Sequence, residues 1–209
     1  MKKLIFPTTI FSALLFVSCG SEVVNNEPVT EPTVETPSPI LETYNLDSTS
    51  TLQWMGYESE NKEGHNHAGM IAIKSGSVST TDGAITSGEF IIAMNEISYS
   101  SGASNGGAVT PENEIAGKVM GHFTDSSFLN NLAMQEAIFT IQNADENGVN
   151  GELGFNGSTI AVNIPGKALT ENNKMTFEST FNLDLSAASP YLAESGWKIE
   201  MKLSLIASK

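Results

Sequence analysis

Apolar residues recur at every second position through most of this chain, and that period constrains its fold more than any other feature. Met175, Phe177, Ser179, Phe181 and Leu183 alternate with Lys174, Thr176, Glu178, Thr180 and Asn182. Trp197, Ile199, Met201, Leu203 and Leu205 alternate with Lys198, Glu200, Lys202 and Ser204, and Val149, Gly151, Leu153 and Phe155 with Asn150, Glu152 and Gly154. Successive side chains of a strand leave opposite faces of the sheet, so each run reads as a strand with one apolar and one wet face. Asn156-Gly157, just before the apolar run Ile160 to Ile164, marks a two-residue hairpin, since both residue types tolerate positive φ. Further strand-like runs cover 43–57, 66–75, 85–97, 115–124 and 137–142. Only Asp125 to Gln135, with Phe128, Leu129, Leu132 and Met134, reads as a short helical connection, and Ser98 to Pro111, rich in Ser and Gly, as an expanded mobile loop.

Eight or nine such strands with almost no helix leave a sandwich or a closed barrel. Long antiparallel strands at meander spacing favour closure, which removes exposed sheet edges. The predicted fold is therefore an all-β antiparallel barrel of about eight strands with a short helical connection, over 41–209. A barrel that spans a membrane needs an apolar outer face. Here Lys198, Glu200 and Lys202 crowd the polar face, which points to a soluble barrel with an apolar interior.

The chain opens differently. Met1-Lys2-Lys3 precedes Leu4-Ile5-Phe6 and Ile10 to Val17, a basic start and a short apolar stretch interrupted by Pro7. That pattern is a secretory leader, too short for a permanent span. It ends in Phe16-Val17-Ser18-Cys19-Gly20, similar to the lipobox of bacterial lipoproteins although Phe16 stands where Leu is usual, and Cys19 is the sole cysteine. The expectation is a leader over 1–18, lipidation of Cys19 and attachment to a membrane of the bacterial envelope, the outer membrane being the expected one, facing the periplasm or the surface. Several acyl chains, at roughly 0.8 kcal/mol per buried methylene, make a stable anchor. Residues 19–40, with Glu27-Pro28, Glu31-Pro32 and Pro37-Ser38-Pro39, read as an extended, hydrated tether, because proline blocks ladder bonding and the acids repel one another.

Charge excludes whole classes of partner. All ten basic residues are Lys, against 24 acids, for a net charge of −14; loss of Lys2 and Lys3 with the leader makes it −16. Nucleic-acid binding needs clustered cations, so no nucleic-acid partner is expected. One cysteine excludes internal disulfides and multi-cysteine metal sites.

With the strands placed, an ordered series of motifs resembles the YceI-like domain family over about residues 43–207. It runs from Tyr44-Asn45-Leu46-Asp47 and Trp54-Met55-Gly56 through Gly64-His65-Asn66-His67-Ala68-Gly69 to Gly88-Glu89-Phe90-Ile91-Ile92-Ala93-Met94. It continues with Gly121-His122-Phe123, Ala137-Ile138-Phe139, Gly151-Glu152-Leu153 and Phe181-Asn182-Leu183-Asp184. The resemblance implies a lipocalin-like barrel that holds a long isoprenoid or similar amphiphile, a binder and not a catalyst. Two departures bear on the polar head of such a ligand. The family commonly has Asp-Phe-Phe-Asp where this chain has Ser127-Phe128-Leu129-Asn130, and often an Arg at the position of Leu185.

Candidate chemistry is sparse. His65 and His67, two apart on a strand, share a face, and with His122 they have the donor types for Zn²⁺ or Cu²⁺. A solvated or hydrogen-bonded pair is the commoner outcome, so no metal site is assigned. No Gly-x-Ser-x-Gly elbow occurs, Asp145-Glu146 belongs to a turn sequence, and neither an enzyme activity nor a resident cofactor is expected. The inward faces carry the ligand expectation instead: Trp54, Ile71, Phe90, Ile92, Met94, Phe139, Phe155, Phe177, Phe181 and Met201 line an apolar interior, and methionines such as Met70, Met94, Met120, Met134, Met175 and Met201 suit a flexible chain. Without Arg, and with Lys scattered except for Lys118 beside His122 on one strand face, a neutral head such as a quinone or amide is expected over a pyrophosphate. The same apolar faces also suit a structural or adhesive surface lipoprotein with a packed barrel and no ligand.

Overall fold

The structure is a computed structural model that describes residues 37–130, 133 and 135–209. The leader at 1–18, Cys19, the tether as far as residue 36, and Leu132 and Met134 lie outside the described residues.

The chain forms β1 (Leu41–Leu46), β2 (Thr51–Glu58), β3 (Asn66–Thr81), β4 (Ala84–Ser104), β5 (Gly107–Val109), α1 (Glu114–Thr124), β6 (Glu136–Asp145), β7 (Gly148–Phe155), β8 (Ser158–Pro165), β9 (Leu169–Glu171), β10 (Lys174–Leu183), α2 (Pro190–Glu194) and β11 (Trp197–Ser208). Every ladder is antiparallel, in the order β8-β7-β6-β4-β3-β1-β11-β10-β9, with β2 between β3 and β11 and β5 on the end of β4. β1 and β2 lie end to end between the same two neighbours. β8 and β9 also share one position, β8 laddered to β7 and β9 to β10. The wall thus has eight positions and closes into a barrel. Eight positions leave an interior just wide enough for side chains or one small ligand.

The period-two runs fold as strands because one face of each is buried. Met175 and Phe177 of β10, Met201, Leu203 and Leu205 of β11, and Ala137, Phe139 and Ile141 of β6 all point inward, and their outward neighbours are charged or polar apart from Ile138 and Ile206. Asn156 and Gly157 take φ of 48° and 73°, the left-handed pair a tight hairpin requires. Asp145 caps its own turn, accepting the Asn147 N–H at 2.7 Å.

Three expectations are corrected. Residues 115–124 are the helix α1, not a strand. Asn113 caps it, its side chain accepting the Ile115 N–H at 2.9 Å, and Ile115, Val119 and Phe123 recur at the helical spacing of four. Lys118 and His122 therefore share a helix face rather than a strand face. Residues 125–130, expected to be helical, form turns in which Asp125 accepts from the N–H and hydroxyl of Ser127. The expected mobile loop at 98–111 continues β4 to Ser104, turns on Asn105 and Gly106 at φ 52° and 77°, and returns as β5. Its Asn-Gly pair is the same hairpin signal as at 156–157.

The two ends of the barrel differ. One carries the tight turns after β3, β6 and β9 and both described chain ends: Lys209 pairs with Glu42, and its N–H donates to Asn173 O at 3.1 Å. The other end carries α1, the 125–130 turns and α2. Buried Ser189 ties these together, its hydroxyl donating to Ser127 O at 3.5 Å and accepting the Leu192 N–H. Asn156 adds a bond to Ala188 O at 3.0 Å.

Candidate ligand cavity

The inward side chains leave two adjoining cavities. The larger, about 370 Å³, lies under α1 and α2 at the helix end; the smaller, about 100 Å³, lies deeper toward the hairpin end. Leu52, Ile92, Leu153, Leu183 and Met201 border both and form a waist between them. The larger volume falls within the roughly 300–1,000 Å³ of small-molecule sites.

All ten residues expected inside line one cavity or the other. Trp54, Ile71, Met94 and Phe155 line the larger, Phe90, Phe139, Phe177 and Phe181 the smaller, and Ile92 and Met201 both. Met175 lines the smaller as well. Met70 and Met120 line neither: Met70 alternates out of phase with Gly69 and Ile71 and pairs with exposed Gln53, and Met120 stands one residue beyond the inward stripe of α1.

That stripe is the roof. Ile115, Val119 and Phe123 line the larger cavity, and Trp54 meets Phe123 edge to face at 4.9 Å, pinning helix to barrel. The sequence reading, which took α1 as a strand, did not single out these residues as lining. It missed Tyr191 and Leu192 of α2 too, although Ser189-Pro190 is an N-cap followed by a proline at the first helical position. Trp197 was legible, since it lies in phase with Met201.

Polar groups gather where the cavity meets solvent. The exposed lining residues Lys118, His122, Tyr191 and Lys198 mark the mouth, and His65 and His67 enter from the side of β3. All three histidines of the chain thus line one cavity. His122 stacks on Tyr191 at 6.0 Å and lies 6.1 Å from Phe128. Acids stand beside these groups: Glu114 pairs with Lys118 at 2.8 Å, Glu58 lies 3.2 Å from His65, and Asp184 lies within the field of Lys198. Leu185, where the resemblance places Arg, is a buried part of the wall.

His67 is the buried member of the set, 5% exposed. Its Nδ1 lies 3.1 Å from the Tyr99 hydroxyl, and its ring stacks nearly parallel on Trp197 with centroids 5.7 Å apart. Burial, and secondarily the charge of His65, holds its pKa below the usual imidazole range, while burial raises that of Tyr99. Two glycines make room for this packing. A Cβ on Gly102 would stand 2.4 Å from the Tyr99 hydroxyl and 2.9 Å from His67 Nδ1. One on Gly69 would stand 1.7 Å from Ser98 O, which accepts the Trp54 indole N–H at 3.2 Å.

His65 and His67 do share a site, with ring centroids 5.6 Å apart. Among the described residues no group of three His, Cys, Asp or Glu side chains is placed to hold a metal ion. The arrangement offers apolar volume, a narrow set of polar groups at one end, and exclusion of water between.

No protein-family model matches the chain, and no curated protein matches it in sequence. Solved structures do match in shape. A polyisoprenoid binding domain from Saccharophagus degradans implicated in plant cell wall breakdown superposes with a TM-score of 0.53 at 11% identity, over 79% of this chain and 97% of that one. BcnA from Burkholderia cenocepacia superposes with a TM-score of 0.51 at 12% identity, over 78% and 99%. At such identity the likeness is one of fold, and the chain is similar to both as a lipocalin-like antiparallel barrel.

Proposed function

We propose that this protein binds, without catalysis, one long-chain amphiphile of the isoprenoid, quinone or fatty-acid type, with the tail in the barrel and an uncharged head at the helix end. The observation that carries the reading is the apolar cavity of about 370 Å³ continuing through a waist into a second one. A tail of repeated methyl and methylene groups gains about 25 cal/mol for each Å² of surface it buries there. The polar groups at one end alone suit a ligand with one polar terminus. The Lys118–Glu114 pair at the mouth, the leucine at 185 and the net charge of −14 all disfavour a polyanionic head. The Saccharophagus domain of the same fold, described as polyisoprenoid binding, supports the choice of ligand class. A structural lipoprotein with a packed barrel has no use for this volume.

Native mass spectrometry of the purified protein, followed by organic extraction, tests the reading. A co-purifying lipid, or uptake of an added prenyl chain or fatty acid, is expected. An empty barrel that takes up neither overturns it in favour of the structural alternative. The proposal extends to location: Cys19 carries the lipid that holds the protein to an envelope membrane, on the strength of the leader and lipobox pattern. Labelling with a fatty-acid analogue should mark the protein, and Cys19→Ala should abolish both label and membrane association.

A further inference from the structure

The larger cavity is apolar apart from the polar groups gathered at its mouth, and His67 is the most buried of these. His67 is 95% removed from solvent, it lines the cavity, and only one of its two ring nitrogens has a protein partner. Nδ1 is engaged by Tyr99. Nε2 has no hydrogen bond to any described residue, and it reaches open space, since the Thr80 hydroxyl alone is fully buried without a partner among the described residues.

The Tyr99 contact decides what Nε2 offers. A phenol is the better donor and an imidazole nitrogen the better acceptor, so the Tyr99 O–H donates to Nδ1 and the ring proton resides on Nε2. Turning the ring over would keep the stack on Trp197 but forfeit the Tyr99 hydrogen bond, which favours the bonded orientation. The result is an N–H donor at a cavity whose other polar lining is His65 and the exposed groups of the mouth. We propose that His67 is the specificity-determining residue of the cavity, its Nε2–H donating to an uncharged carbonyl oxygen in the head of the bound amphiphile, with Tyr99 as the positioning residue that sets the tautomer. The inference rests on the amphiphile-binding reading and adds to it the group by which the ligand is recognised.

A carbonyl answers this donor better than the alternatives. A hydrocarbon leaves the N–H unpaired. A carboxylate accepts the bond but brings a negative charge to a mouth that already holds Glu114 against Lys118, Glu58 beside His65 and Asp184 within the field of Lys198. An imidazole held neutral by burial provides no compensating charge.

Displacement of the neutral fluorescent probe N-phenyl-1-naphthylamine from the purified protein provides the test, with a long methyl ketone, the alkane of equal length and the fatty acid of equal length as competitors. The ketone is expected to bind about 5–10-fold more tightly than the alkane, the worth of one neutral hydrogen bond, and more tightly than the carboxylate. His67→Phe keeps a ring against Trp197 and should abolish the preference, lowering ketone binding at least to the alkane level. Tyr99→Phe, which frees the tautomer, should erode the preference in part. Nitrogen-15 NMR of the unmodified protein should find the His67 proton on Nε2. A proton on Nδ1, a ketone preference that survives His67→Phe, or a carboxylate that binds tightest overturns the inference. Equal binding of ketone and alkane by the unmodified protein overturns it too and leaves the carrier reading standing; failure of every competitor to displace the probe removes the carrier reading itself.

Discussion

Thr80 is 2% exposed and its hydroxyl finds no hydrogen-bond partner among the described residues. A buried hydroxyl stripped of water and left unpaired costs about 1–3 kcal/mol, and valine has the same branched shape without the polar atom. Thr80→Val should therefore stabilise the barrel by about 1 kcal/mol, read as a higher urea midpoint with unchanged slope. Three aspartates behave oppositely. Asp47, Asp125 and Asp184 each accept bonds within their own turns, from Thr49, Ser127 and Ser186, and these bonds lower all three pKa values from the usual 3.8. The unfolded carboxylates take up protons first, so the stability they contribute is complete above pH 3.8 and fades as pH falls through the lowered folded values. Asparagine still accepts in such turns without titrating. Replacing all three with Asn should flatten the acid limb of a stability-against-pH curve.

At the scale of elements, α1 decides how well the larger cavity is roofed, and its sequence is a poor helix former. Gly117 and Gly121 lie in its interior with open space where a Cβ would go. Either glycine changed to Ala should raise stability by about 0.5–1 kcal/mol, whereas Asn113→Ala should lower it by about 1 kcal/mol through loss of the cap. Thermal or urea unfolding reads both. The same glycines explain why α1 was misread from sequence. Ile115, Gly117, Val119, Gly121 and Phe123 satisfy a period of two as readily as of four, and only the cap at Asn113 distinguishes them. Where one face of a strand is buried and the other polar or charged, as in β10 and β11, the pattern was unambiguous and the inward residues could be named. The mouth was illegible for a different reason. Lys118 and His122 come from α1, Tyr191 and Lys198 from α2 and β11 much later in the chain, and nothing local to any of them shows that the barrel gathers them around one opening.

At the scale of the whole molecule, the two described chain ends emerge together beside the hairpins, and β3 runs from there to the helix end in 16 residues, each adding about 3.3 Å. Immobilising the protein through Ser38 or through Lys209 should leave its affinity for an amphiphile within a factor of two of the free protein. A bulky label on Lys118, at the rim, should slow ligand entry several-fold in the same surface-binding measurement. The described chain ends and the mouth of the larger cavity thus lie at opposite poles of the barrel. A surface planted densely with such molecules by their chain ends keeps every aperture turned outward, and a neighbour's bulk narrows none of them.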